Sequence, residues 1–512
     1  MTVVSTYRRS SLATATPLAG PTALRGKVQQ TYLNLVGGEW VASGSGRTFE
    51  DRNPADSREI IAIFPDSTAE DVRKALDAAR AALKGWAATP APQRQAIVQK
   101  AIASLRGRAE ELAQALTWEE GKVLAEARVE INRGLTAMEY LAAEGRRLLG
   151  HTIPSEQPGM FAWTQRRPKG VVGIITPWNF PFAIPAWKVA PALVCGNTVV
   201  FKPAEQTPLC AQLLVEALVD AGLPAGVLNL VHGGPEVGEA IVTDPAVRAI
   251  SFTGSTEVGK LINRKASEHL AKVQLEMGGK NACIVMPDAD LDKAAKDIVV
   301  GAFGSTGQRC TATSRVVVDR KVKDLLVEKL LAEAKNVQTG NGFADGILMG
   351  PMVDDRAIEK AQQYVDVARQ EGNQVLCGGK RAQSRPEHEH GYFFEPTIVV
   401  GVRKEHTLNR EEVFGPVLSI LEADGLEDAL DVANSVEYGL TGAIYTKDLS
   451  AAFAYARASE AGMLHVNCPS IYSEIQMPFG GIKDSGTGGR EMGPTAIDFW
   501  TEWQTVYVKH EG

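Results

Sequence analysis

GVVGIITPWNFPFAIPAWKVAPALVCGNTVVF, residues 170–201, decides the fold. Its ends, GVVGIIT (170–176) and NTVVF (197–201), are short continuous apolar runs bounded by Gly, Pro or Asn. Strands buried on both faces of a parallel sheet look like this. Between them WKVAPALVCG reads as a helix, so the stretch is a strand, a crossover and a strand. The pattern continues with a helix from about Leu209 to Ala221, strand-like VLNLV (227–231), helical GEAIVTD and strand-like AISFTG (249–254). Such alternation indicates a doubly wound parallel sheet that receives its ligand at the C-terminal edge of the strands.

Upstream, residues 69–86 place apolar side chains at helical spacing behind acidic residues, and 92–117 and 122–148 read as two further amphipathic helices. Downstream, a second alternation begins with ACIVM (282–286), a helix at 290–303 and RVVVD (315–319). It extends to EPTIVVGV, PVLSILEA, AIYT and MLHVN. The fold class expected is α/β: two doubly wound domains and a small β segment. The first domain comprises 28–148 with 168–277, the second 278–478, and the β segment 149–167 with 495–512. That segment rests on FAWTQRRPK (161–169), which resembles part of a hairpin, and on TEWQTVYVKH (501–510), which alternates like an exposed strand. Both fall outside the two main patterns, so pairing across subunits is expected.

Bulk composition sets limits. A chain of 512 residues exceeds what one core supports. A net charge of −7 and a pI near 5.8 argue against nucleic acid or an anionic membrane surface as partner. No run of 18 apolar residues is present to span a membrane. Six cysteines without repeating spacing suggest neither a disulfide framework nor a metal site, and a reducing, cytoplasmic setting is expected. The first 38 residues carry Arg8, Arg9, Arg25 and Lys27 but no Asp or Glu. They read either as a mitochondrial transit peptide, leading to the matrix, or as a disordered tail. Residues 1–27 are set apart as that tail.

Cys310 stands apart from the other cysteines. It sits in Gly304-Ser305-Thr306-Gly307-Gln308-Arg309-Cys310-Thr311, small and polar, with Arg309 adjacent. An electropositive setting of that kind lowers a thiol pKa and yields a reactive thiolate. Cys195, Cys283 and Cys377 read instead as packing residues. Isolated glutamates are usually solvated, but Glu276 precedes Gly278-Gly279 at the inferred domain junction. Asn179, in the loop after the first buried strand, has an amide suited to an oxyanion or to bracing a proline-bounded turn. Lys202 and Glu205 end the next strand, where a carboxylate accepts from ribose hydroxyls. Gly254-Ser255-Thr256-Glu257-Val258-Gly259 opens a helix whose N–H groups suit a pyrophosphate, although it is not the GxGxxG fingerprint.

TPWNFP (176–181), FKPAE (201–205), FTGSTEVG (252–259), LEMGGK (275–280), GQRC (307–310), EEVFGPV (411–417) and PFGGIKDSG (478–486) follow one another along the chain. In order and spacing the set resembles the aldehyde dehydrogenase superfamily, over about residues 32 to 509. The resemblance implies that Cys310 attacks an aldehyde to form a thiohemiacetal and then a thioester. Asn179 and the Cys310 backbone N–H would form the oxyanion hole, and Glu276 would activate the hydrolytic water. The implied cofactor is NAD, with NADP left open, in a Rossmann-like first domain; the second domain would be catalytic. Lys202 and Glu205 would hold the adenosine ribose, and Gly254, Ser255 and Gly259 the pyrophosphate. Thr176 and Trp178 would line the cofactor backbone, and Glu412 with Phe414 the nicotinamide ribose. The implied partners are a small-molecule aldehyde and further copies of the chain, as a dimer or homotetramer joined by the oligomerisation strands.

SGTGGRE (485–491) has one residue more than the family's usual S-G-x-G-R-E. With GQRCTATSR it looks like the branch that includes 2-oxoglutarate semialdehyde dehydrogenases. Arg309 would favour a distal carboxylate on the substrate, whereas Glu474 in the channel loop would repel one. Phe180, Ile184, Trp187 and Ile471 would give an apolar channel suited to ordinary aldehydes, so the substrate stays open. One rival reading is a CoA-acylating or phosphorylating aldehyde dehydrogenase, against which Glu276 favours water as acceptor. Another is a non-catalytic structural protein of the same fold, against which stand Cys310, Glu276 and Asn179.

Overall fold

The computed structural model describes residues 30–510; the tail expected over 1–27 lies outside them. Strand Val171–Ile175 is buried at every residue, as is Thr198–Lys202, and the two pair in parallel. Burying each Val or Ile contributes roughly 1.5–3 kcal/mol, which favours a central position for these runs. The helix between them spans Ala183–Val194 and begins earlier than WKVAPALVCG suggests. The first sheet has eight strands in the order Gly486–Thr487, Lys272–Glu276, Val247–Thr253, Val171–Ile175, Thr198–Lys202, Leu228–Leu230, Asn34–Val36 and Glu39–Val41. Its central five strands are parallel.

The second sheet runs Gln374–Cys377, Thr397–Val400, Val417–Ala423, Arg315–Asp319, Ala282–Val285, Thr441–Tyr445 and Met463–Val466. Only its first pair is antiparallel. Helices cover both sheets, as the alternation requires.

One expectation needs correction, and one gains a detail within the chain. The helix read over 92–117 is two helices, Ala91–Gly107 and Ala109–Glu120, separated at Arg108 with φ −112° and ψ 15°. Strand Thr501–Lys509 pairs antiparallel with Met160–Pro168 of the same chain over nine residues, and Thr152–Ile153 completes that sheet. Thr501–Lys509 and Thr152–Ile153 are the two edge strands of this sheet among the described residues, and the outer edge of Thr501–Lys509 is the longer.

Candidate active site

Four neighbouring parallel strands of the first sheet end side by side. Thr253 pairs with Glu276, Phe252 with Ile175, and Ile175 with Lys202. Glu276, Thr253, Thr176 and Lys202 thus follow one another along the C-terminal edge, where open α/β sheets receive ligands. The loops leaving these strands carry Trp178 to Phe180, Glu205, and Gly254 with Ser255.

A cavity of about 380 Å³ opens beside this edge, with Cys310 and Glu276 in its wall. Phe180, Ile184, Trp187, Arg309 and Ile471, the residues expected along a channel, line it too. Asn179 is buried close by, and its Nδ2 donates to the Gln308 carbonyl at 2.9 Å. Its second N–H and the Cys310 backbone N–H have no acceptor among the described residues. Glu474 is exposed, accepts from Tyr472 Oη at 2.7 Å, and is not among the residues lining the cavity.

The setting of Cys310 differs from the electropositive one expected. Arg309 is committed to Glu126 at 2.7 Å and donates to Ser305 Oγ. Burial pushes the Cys310 thiol up to about 12, and the carboxylates of Glu276, Glu412 and Glu491 act in the same direction. The turn before it holds Ser305 and Thr306 at φ 47° and 58°, left-handed for non-glycine residues and costing of order 1–2 kcal/mol each. Glu126 braces that turn by accepting the Ser305 N–H at 3.0 Å.

Glu276 is 3% exposed, and neither carboxylate oxygen has a hydrogen-bond partner at ordinary geometry. Gly480 makes room for it: φ is +145°, and a Cβ there would collide with Glu276 Oε1. Burial raises this carboxyl well above the usual range; Glu491 adds repulsion, while Lys188 and Arg490 oppose it. A buried carboxyl with so raised an affinity for its proton, sharing a cavity with a thiol, is a candidate functional group.

Glu491, which the sequence reading did not single out, accepts from Trp187 Nε1 at 2.7 Å and from Lys188 Nζ. Lys188 also donates to Ser251 Oγ at 2.7 Å. The long SGTGGRE loop delivers Glu491: Gly486–Thr487 pair with the Glu276 strand, and Gly488 and Gly489 turn the chain with φ of 85° and 110°.

Lys122, Glu126, Glu130 and Arg133 also line the cavity from helix Leu124–Ala142 and the residues before it. Arg133 donates to Ser473 O and Oγ, both at 2.8 Å, and has no carboxylate partner among the described residues. Spacing on a helix was the only signal for these four, and it reads equally well as a solvated face.

On the other side of the sheet edge, Trp178 and Phe414 meet edge to face with centroids 5.4 Å apart. Lys202 Nζ lies 3.1 Å from Glu205 Oε2, whose side chain is 40% exposed. Ser255 caps helix Thr256–Ser267, and Gly259 is buried in its first turns against Met277. Glu412 accepts the Gly279 N–H at 2.8 Å, and burial pushes its carboxyl up to about 7. The Thr176 hydroxyl is buried without a partner. An orphaned hydroxyl, an accessible carboxylate beside a cation, and a capped helix N-terminus fit a dinucleotide, offering acceptors to ribose and donors to phosphate. Among the described residues no cluster of three or more His, Cys, Asp or Glu could hold a metal ion, and no helix is long and apolar enough to cross a membrane.

Residues 40–506 match the model of the aldehyde dehydrogenase family. The chain is 43% identical over 482 residues to the alpha-ketoglutaric semialdehyde dehydrogenase of Bacillus subtilis, covering 94% of this chain and 99% of that protein. It is 39% identical over 475 residues to the glutarate-semialdehyde dehydrogenase of Pseudomonas putida, covering 93% and 96%. The NAD-dependent aldehyde dehydrogenase of Sinorhizobium meliloti superposes with a TM-score of 0.91 at 36% identity, covering 94% and 95%. Betaine aldehyde dehydrogenase of Staphylococcus aureus in complex with NAD+ superposes at 0.92 with 33% identity, covering 95% and 96%. A thiol and an unpartnered carboxylate share one cavity beside a dinucleotide-compatible sheet edge, and these likenesses extend over nearly the whole chain. It belongs to the aldehyde dehydrogenase family and oxidises an aldehyde to a carboxylic acid with NAD(P)+.

Proposed function

We propose that the substrate is an aldehyde bearing a distal carboxylate, with Cys310 as nucleophile and Glu276 as the base for hydrolysis. Arg133 carries the substrate reading: it is a guanidinium on the cavity wall without an acidic partner among the described residues. Arg309 contributes less than its position suggests, because Glu126 already compensates its charge. Relatives named for alpha-ketoglutaric, glutarate and malonate semialdehydes support the same class, since each of those aldehydes carries a carboxylate.

Cys310 Sγ bonds to the carbonyl carbon while the thiol proton passes to Glu276, directly or through water. The raised carboxyl makes Glu276 a competent acceptor. The developing oxyanion takes the free Asn179 N–H and the Cys310 backbone N–H, each donor being worth ~2.7–4 kcal/mol. NAD, when bound, supplies the hydride acceptor that converts the thiohemiacetal into a thioester. Glu276 first releases the thiol proton to solvent, then removes a proton from the attacking water. The tetrahedral adduct collapses with cleavage of the C–S bond, the proton on Glu276 returns to the Cys310 thiolate, and the product leaves as its carboxylate.

Lys202 and Glu205 hold the adenosine ribose in this reading. Gly254, Ser255 and Gly259 hold the pyrophosphate, Thr176 and Trp178 flank the cofactor, and Glu412 with Phe414 takes the nicotinamide ribose. The first sheet serves the cofactor, the second carries the nucleophile, and the three-stranded sheet serves assembly. Among the described residues, the outer edge of Thr501–Lys509 and the Met463–Val466 end of the second sheet are both unpaired. Pairing them between copies covers backbone groups and the exposed Trp503, Tyr507 and Val508, giving a dimer or tetramer. Six unpaired cysteines suit the cytoplasm.

The test is kcat/KM for ω-carboxylated aldehydes against uncharged aldehydes of equal length. A tenfold preference for the charged series is expected, and the reverse preference removes the substrate reading.

A further inference from the structure

We propose that Lys122, paired with Glu130, is a positioning residue for the oxyanion pocket: it fixes Asn179 through that residue's backbone carbonyl. The proposal rests on reading Asn179 as an oxyanion donor. Lys122 Nζ donates to Glu130 Oε2 at 2.6 Å and to Asn179 O at 2.7 Å, and it stands 4.2 Å from the Phe180 ring centroid. The Lys122 and Glu130 side chains are each 1% exposed. The other Glu130 oxygen accepts the Phe182 and Ala183 N–H groups at 3.2 Å. One buried pair therefore grips the Asn179 backbone, faces the Phe180 ring and caps helix Ala183–Val194. Gln308 anchors the Asn179 side chain from the opposite direction. With both ends held, the remaining Asn179 N–H has little freedom.

A buried ion pair is a poor device for stability alone, since apolar residues of similar volume often serve as well or better. Burial opposes the charge on Lys122, but Glu120 and Glu130 outweigh it and keep the ammonium above its usual range. What the charge provides is a strong donor to the Asn179 carbonyl, in a loop without ladder partners. Placement is where a catalytic donor gains or loses most: a misplacement of about 1 Å can cost roughly a hundredfold in rate.

The test is a double-mutant cycle with Lys122→Met and Asn179→Ala, each checked for folding by circular dichroism. Two rates are read: the first turnover of NADH formation, and alkylation of Cys310 by iodoacetamide, a displacement that needs no oxyanion hole. Lys122→Met should slow the first turnover at least tenfold, leaving alkylation and NAD affinity within twofold. In the Asn179→Ala background, adding Lys122→Met should change the first turnover less than twofold. Independent, multiplicative losses would overturn the proposal, as would alkylation falling in parallel with turnover. An Asn179→Ala enzyme with undiminished turnover would instead remove the oxyanion reading beneath it. If Lys122→Met does not fold, Lys122→Gln, a shorter donor, is read by the same cycle and the same criteria.

Discussion

Glu126 and Arg309, 183 residues apart in sequence, form a 2.7 Å ion pair on the cavity wall. The pair compensates the charge that the sequence places beside Cys310, whose thiol is raised first by burial and then by Glu276, Glu412 and Glu491. Glu126→Gln removes the counter-charge and keeps an acceptor for the Ser305 N–H, so the strained turn should survive. The released guanidinium should lower the Cys310 pKa and speed its alkylation at neutral pH. KM for carboxylate-bearing aldehydes should fall about tenfold, ~1.4 kcal/mol. Unchanged alkylation and KM would mean that Glu126 does not shield Arg309.

Arg133 separates substrate recognition from chemistry. Arg133→Met should reduce kcat/KM for an ω-carboxylated aldehyde by roughly a hundredfold or more, in line with the 2–5 kcal/mol lost when one partner of a buried charge pair is removed. Uncharged aldehydes of the same length should change less than threefold. Equal losses for both series would make Arg133 a structural residue.

The pH profile tests the Glu276 environment. Its carboxyl is raised first by burial and then by Glu491, so activity needing ionised Glu276 is absent at low pH and appears as pH rises through that raised value. Glu491→Gln removes the repulsion and leaves Lys188 unopposed, and both effects lower the Glu276 pKa. The acidic limb of kcat/KM should therefore move to lower pH. A shift to higher pH would contradict the assignment of Glu276 as the base.

Cofactor choice turns on Glu205, whose half-exposed carboxylate would face a 2′-phosphate. NAD should give the higher kcat/KM, and Glu205→Ala should narrow the difference from NADP. A tenfold preference for NADP in the unaltered enzyme would show the Glu205 assignment to be wrong.

The sheets were legible because runs such as VVGII and RVVVD are apolar throughout and buried throughout. Such runs report burial on both faces without needing to know their neighbours. Helix ends were less legible: Gly107 marks the break at Arg108 only weakly, and prolines at 185 and 191 hide a helix that begins at Ala183. Glycine-rich surroundings and motif order singled out Cys310 and Glu276, and the fold brings both to the wall of one cavity. Their electrostatics were not legible, because Arg309 looks free until the fold brings Glu126 to it. Glu130 and Arg133, and Lys122 just before their helix, carry charges that on an isolated segment belong in water. Lys122 and Glu130 pair with each other, and the loops at Asn179 and Ser473 supply the further partners of Lys122 and Arg133. Glu491 depends in the same way on a loop whose glycines indicate a turn without revealing its destination.

The division of labour between Cys310 and Glu276 is the centre of the account. Glu276→Gln should be mixed rapidly with saturating NAD and aldehyde, the NADH signal followed, and the quenched protein analysed by mass spectrometry. Up to one equivalent of NADH should form per site, followed by very slow turnover, with the acyl group found on the peptide containing Cys310. An acyl group on another cysteine, or full steady-state turnover by Glu276→Gln, would contradict the mechanism.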